Sequence, residues 1–126
     1  MLTLKDLENV KQNLEFISFR EKLPNVFKII LPFFDEDGDM YDIFVEESPD
    51  EQKKFRLSDR GSTLMKLSYT LVLDTLREEK ICEDIVAQSH CQFDKGNIFL
   101  DVFPEQLEYG ILKLTQTISK INTLAE

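Results

Sequence analysis

The sequence contains no tryptophan, one histidine, two cysteines, four glycines and four prolines. Each shortage excludes a class of chemistry. One histidine and two cysteines cannot close a four-ligand zinc site, and no spacing resembles a three-ligand catalytic one. Without a secretory leader, Cys82 and Cys91 are expected to be cytosolic thiols rather than a disulfide framework. Glycines at 38, 61, 96 and 110 are too scattered to build a phosphate-cradling loop. The serines lack the context of a nucleophile elbow. No uninterrupted apolar run approaches the roughly 20 residues of a membrane span, so no membrane association is expected. The opening stretch MLTLKDLENVKQN is charged and amphipathic, unlike a signal peptide. Cations are short as well: 15 Lys+Arg face 24 Asp+Glu, for a net charge of −9. Phosphate tracking rests on Lys and Arg, so direct nucleic-acid binding is not expected. With arginine at four positions and no tryptophan, a base-stacking platform is poorly supplied. No motif calls for a cofactor.

What the chain does have is 126 residues, 42% of them hydrophobic, with ten phenylalanines. That suffices for one domain over residues 1–126 and is too little for two. Leu4, Leu7, Val10, Leu14 and Ile17 recur at steps of three or four, which predicts a helix from Thr3 to about Phe19. Thr3 with Asp6 makes a capping-box-like start. Branched and aromatic residues predict a strand over Val26 to Phe34, a second over Met40 to Glu47 and a third over Lys53 to Ser58. The short turns between them make the meander antiparallel.

Asp59-Arg60-Gly61-Ser62 marks the switch to helix, capped by Asp59 or Ser62 and buried through Leu64, Met65, Leu67 and Leu71. Thr75 with Glu78 opens a second helix whose buried side is Leu76, Ile81, Ile85 and Val86. Lys95-Gly96 between two apolar-bearing runs predicts a hairpin. Pro104 then begins a helix in which Leu107, Ile111, Leu114, Ile118 and Ile121 step 4-3-4-3. That heptad stripe suits packing on the sheet, and equally a homodimer through the C-terminal helix. The order is α-βββ-αα-ββ-α, an α+β fold with a meander, a C-terminal hairpin and helices on one face. Periodicity does not decide whether the two β groups form one sheet.

Residues 35 to 51 hold nine acids and no base, an excess equal to the net charge of the whole chain. Asp35, Asp37, Asp39 and Glu46 match calcium-loop positions 1, 3, 5 and 12, but Met40 stands where the loop needs glycine. Asp39, Asp42 and Glu46 are weak candidates for a magnesium site of a phosphodiesterase, and alternation places Asp42 and Glu46 on one strand face. No acid-x-Lys follows on the third strand. His90 and Cys91 are adjacent, and adjacent strand residues point to opposite faces, so they do not form a base–nucleophile pair. Cys82 on a helix face is expected in the core. Arg56, Asp59 and Gly61 gather at a strand end: Arg56 to pair with a carboxylate on the neighbouring strand, Asp59 to cap, Gly61 to take a backbone angle other residues avoid.

The span Ile30-x-Pro32-Phe33, Asp39, Ile43-x-Val45-Glu46 and Arg56-Leu57-Ser58-Asp59-x-Gly61-x-Thr63-Leu64-x-x-Leu67 resembles the DUF1828 family, a bacterial and phage domain of unknown function. The likeness is dense over Ile30 to Leu67 and extends by element order to the last helix. It implies an N-terminal helix, a strand meander and a Leu-Ser-Asp-x-Gly turn, in a cytoplasmic protein carried by a prophage or another mobile element. It brings no catalytic residues. Where the family often has glycine after the leucine-bearing helix, this chain has Tyr69 or Thr70.

The expected function is that of a non-enzymatic protein-interaction domain with another protein as partner. Asp35, Asp37, Asp39, Asp42, Glu46, Glu47, Arg56, Asp59 and Gly61 are its candidate interaction or structural residues. Two alternatives use the same carboxylates: the metal-dependent phosphodiesterase, and a DNA mimic occupying the basic groove of a nucleic-acid enzyme.

Overall fold

Side-chain alternation decides where this chain becomes sheet. In the computed structural model, which describes residues 1–11, 15–34, 38–68 and 76–125, helix α1 covers Leu4–Val10 and stops there. Thr3 and Asp6 form the expected capping box, and Lys11 turns to an extended backbone. The longer helix expected to Phe19 gives way to strand β1, Ser18–Leu23. Ile17 and Phe19 are buried while Phe16, Ser18 and Arg20 are exposed, so a period of two overrides the helical spacing that had counted Ile17. Leu14 lies outside the described residues.

Pro24 and Asn25, with Asn25 at φ 68°, turn β1 into β2, Val26–Ile30. Strands β3, Ile43–Glu47, and β4, Phe55–Ser58, follow. The meander therefore has four strands: β1 is one the sequence does not predict, and the other three are shorter than predicted. Helices α2, Ser62–Leu67, and α3, Leu76–Gln88, lead to the hairpin of β5, Gln92–Asp94, and β6, Asn97–Val102. Lys95 and Gly96 form its turn with φ of 52° and 84°, the left-handed pair that a two-residue hairpin requires. Pro104 opens a 3-10 turn, and α4 runs over Leu107–Asn122. The expected Thr75 cap, Leu71 and Tyr69-Thr70 lie outside the described residues. In α3 the inward side among the described side chains is Cys82 and Val86, with Ile85 packed against the core; Ile81, expected inside, is 36% exposed.

The two β groups join into one antiparallel six-stranded sheet of order β1-β2-β3-β4-β6-β5. The seam is β4 against β6, with Leu57 opposite Leu100 and Ser58 opposite Phe99. Registers align Phe27, Val45, Leu57 and Leu100 across four strands, and Phe19, Ile29 and Ile43 across three. All seven are buried. Helix α4 packs on β4 and β6, α2 on β6, α3 on β5 and α1 on β1. The 4-3-4-3 stripe of α4 is spent on this contact, with Leu107, Ile111, Leu114, Ile118 and Ile121 between 0% and 3% exposed. No helix among the described residues is long and apolar enough to cross a membrane.

Gly110 sets the distance between α4 and the sheet. A Cβ there would lie 2.7 Å from Leu57 Cδ1 and 3.0 Å from Val102 Cγ1. Gly110→Ala gains about 1 kcal/mol of helix propensity and overpacks the core by about 1–3 kcal/mol. The expected net result is a lower urea midpoint; a higher one would mean that the helix shifts freely over Leu57.

Candidate functional site

The turn from β4 to α2 is built around Asp59, whose residue is fully buried at 0% exposure. One carboxylate oxygen accepts from the Gly61 and Ile98 N–H groups, both at 2.9 Å. The other accepts from the Thr63 N–H at 3.2 Å. The Asp59 N–H donates to the Ile98 carbonyl at 3.1 Å. Asp59 therefore caps α2 from outside the helix and ties it to β6, while Ser62 is the first helical residue. The Arg60 N–H donates to Ser58 Oγ at 2.9 Å. Arg60 and Gly61 take φ of 51° and 84°, and only glycine enters that region without cost. A Cβ on Gly61 would also stand 3.3 Å from Asn97 Oδ1. Asp59 and Gly61 are thus a structural joint.

The face of the sheet away from α4 aligns Lys28, Phe44, Ser58, Phe99 and Gln92 in one row, and Val26, Glu46, Arg56 and Asp101 in the next. Arg56 pairs with the neighbouring strand as its position suggests: Nε and Nη2 donate to the two oxygens of Asp101 at 2.8 and 2.9 Å. Nη2 also reaches Asp50 at 2.7 Å, and the guanidinium lies 4.2 Å from the centre of the Phe99 ring. The hydrogen bond that Arg56 donates to Asp101, with the one it donates to Asp50, raises its pKa above the ordinary value against the opposing effect of burial. Those contacts occupy the side chain, which is 15% exposed. Arg60 is freer: it lies 5.9 Å from the Phe44 ring centre, with Nη1 4.0 Å from Glu46. A polar cleft of about 260 Å³ opens between Arg60, Glu46, Asn97 and Asp94 over Ser58 and Phe99.

The acidic segment is neutralised where the structure describes it. Asp42 meets Lys28 at 3.0 Å and Lys66 at 3.8 Å, and Asp39 meets the same Lys66 at 3.9 Å. Glu46 faces Arg60, Asp50 faces Arg56, and Glu51 lies 3.0 Å from Lys54. Glu47 is 3.4 Å from the Met1 amino group. Asp35 and Asp37 lie outside the described residues. A phosphate mimic needs a row of unneutralised carboxylates, whereas each of these six has a cation within 4.0 Å. Among the described residues no three His, Cys, Asp or Glu side chains gather closely enough to hold a metal ion.

Cys82 and Cys91 are buried free thiols. Cys91 Sγ lies 3.5 Å from Thr117 Oγ1, and desolvation pushes its pKa up despite that contact. His90 is exposed at φ 60°, in the turn that closes α3.

A second, mostly apolar groove lies elsewhere. It has a volume of about 520 Å³ and runs between α4 and the segment after β2, lined by Phe33, Tyr41, Tyr109, Leu112, Lys113, Thr115, Gln116 and Ser119. Phe33, Tyr109 and Leu112 are 36%, 63% and 44% exposed, and the adjoining Phe34 is 58% exposed. Sequence reasoning missed this surface because the buried stripe of α4 dominated the pattern. The available signal was Tyr109-x-x-Leu112, two apolar residues one turn apart and off that stripe.

Removing the Asp59 carboxylate orphans the buried Thr63 and Ile98 N–H groups, each costing about 1–3 kcal/mol, and the half-buried one of Gly61. Asp59→Ala is expected to lose about 3 kcal/mol or more in chemical denaturation, and Asp59→Asn less because one oxygen remains. A loss below about 1 kcal/mol for the alanine variant would show that β6 and α2 are held in place without it.

The family model of Domain of unknown function DUF1828 matches residues 31–121. No curated protein and no solved structure matches the chain.

Proposed function

The chain belongs to the DUF1828 family, and we propose that it is a non-enzymatic protein-interaction domain that works by docking a protein surface. The observation carrying this reading is the groove between Phe33 and Leu112: exposed aromatic and aliphatic side chains collected in one concavity. A contiguous exposed apolar patch is costly in water and marks a contact surface. The ionic groups point the same way. Arg56 and the described acids of the 39–51 segment are engaged within the chain, so they are poorly placed to act on a substrate. The proposed setting is the bacterial cytoplasm, with the gene carried by a prophage or another mobile element; the resemblance of Ile30 to Leu67 to a bacterial and phage family supports it.

The test is selection of a displayed library of amphipathic helical peptides on the purified chain. Wild type is expected to enrich binders, and Leu112→Glu to bind them at least about tenfold more weakly with an unchanged melting temperature. Peptides that bind both chains equally, or no enrichment at all, would overturn the assignment of the groove.

The metal-dependent alternative has a separate readout. Asp39 and Asp42 share Lys66, so millimolar magnesium or manganese is expected to leave the melting temperature unchanged. A rise that Asp42→Ala abolishes would revive the phosphodiesterase reading.

A further inference from the structure

Helix α4 has a second face. Opposite the buried stripe stand Tyr109, Leu112 and Gln116, preceded by Glu105 and followed by Lys120, all exposed. From the 3-10 turn, which holds Glu105, through α4, this surface runs acidic, apolar, basic. Among the described residues neither Glu105 nor Lys120 has an ionic partner. Two unpaired opposite charges therefore bracket the exposed apolar surface that forms one wall of the groove.

We propose that the groove takes the outer face of α4 from a second copy of this chain, with the two helices antiparallel about a twofold axis near Leu112 and Lys113. The proposal rests on the reading of the groove as a docking surface and names its occupant. In this register Glu105 meets the partner's Lys120, Tyr109 meets the partner's Gln116, and the two Leu112 side chains pack beside the axis. The charges lie 15 residues apart, Lys120 on α4 and Glu105 in the turn that leads into it, so one antiparallel contact satisfies both ends. A twofold contact is isologous, which is why one face can supply both halves. Antiparallel packing also opposes the two helix dipoles favourably, whereas a parallel arrangement stacks Glu105 on its own copy. The competing route, strand addition at the β1 edge, meets Arg20, Glu21 and Lys22, all exposed, and charged edge residues oppose such pairing.

Sedimentation velocity of the full chain from about 1 to about 100 μM tests it. A concentration-dependent dimer is expected, with Leu112→Glu shifting its dissociation constant at least about tenfold toward monomer. Glu105→Lys and Lys120→Glu should each weaken it by about two- to fivefold, as exposed ion pairs do, and the double charge swap should restore it. All these positions are exposed, and a melting curve checks that each variant folds. A wild-type monomer throughout the range overturns the proposal. So does a dimer indifferent to Leu112→Glu, which would use another face, and so does a double swap no better than the single ones. A monomer that still selects library peptides through Leu112 overturns self-association alone; a monomer that selects none overturns the docking reading with it.

Discussion

Three backbone N–H groups converge on one buried carboxylate, and the rest of the structure depends on that convergence. Asp59 follows the last residue of β4, caps α2 through Gly61 and Thr63, and holds the start of β6 through Ile98. Without it the four-strand meander and the C-terminal hairpin would share only the β4–β6 ladder. That ladder makes the sheet continuous, Asp59 adds a second tie to β6, and α4 has one surface on which to bury its stripe. Gly110 then lets the helix approach Leu57 and Val102 on the two seam strands. Hydrogen-bond satisfaction at the turn and packing at the helix thus act on the same two strands.

Much of this was legible in the residues. The capping box of α1, the Lys95-Gly96 hairpin, the α4 stripe and the pairing of Arg56 with a neighbouring strand all follow from local pattern. Two things were not legible for physical reasons. Ile17 satisfies a helical spacing and a strand alternation at once, and only its burial against the sheet separates the two. The joining of the β groups rests on the β4–β6 ladder and on Asp59 meeting Ile98, residues 39 apart in sequence, and no periodicity records a long-range contact. The groove was hidden for a third reason: a surface between α4 and the Phe33 segment belongs to no single element.

Charge shows the same limit. As a string, residues 35–51 are an acidic block; in space, the described part is met by Lys28, Lys54, Arg56, Arg60, Lys66 and the Met1 amino group. The family match begins at residue 31, so α1, β1 and β2 precede it. Strand β2 covers the edge of β3 from Val26 to Ile29 and supplies Lys28 to Asp42. The N-terminal hairpin therefore both closes an edge that would otherwise pair with foreign strands and helps neutralise the acidic segment.

The sheet also has a grammar in time. Strands β1 to β4 pair in chain order, as do β5 and β6, and only β4 with β6 pairs out of sequence. Hairpins of this kind close within about 10 μs, while a seam of long sequence separation waits on the entropy of closing the intervening loop. The two β units can thus form independently, but neither completes its core until the seam shuts. The strand pair secured by Asp59 is therefore the one place in the sheet where folding must bring together segments that are distant in the chain.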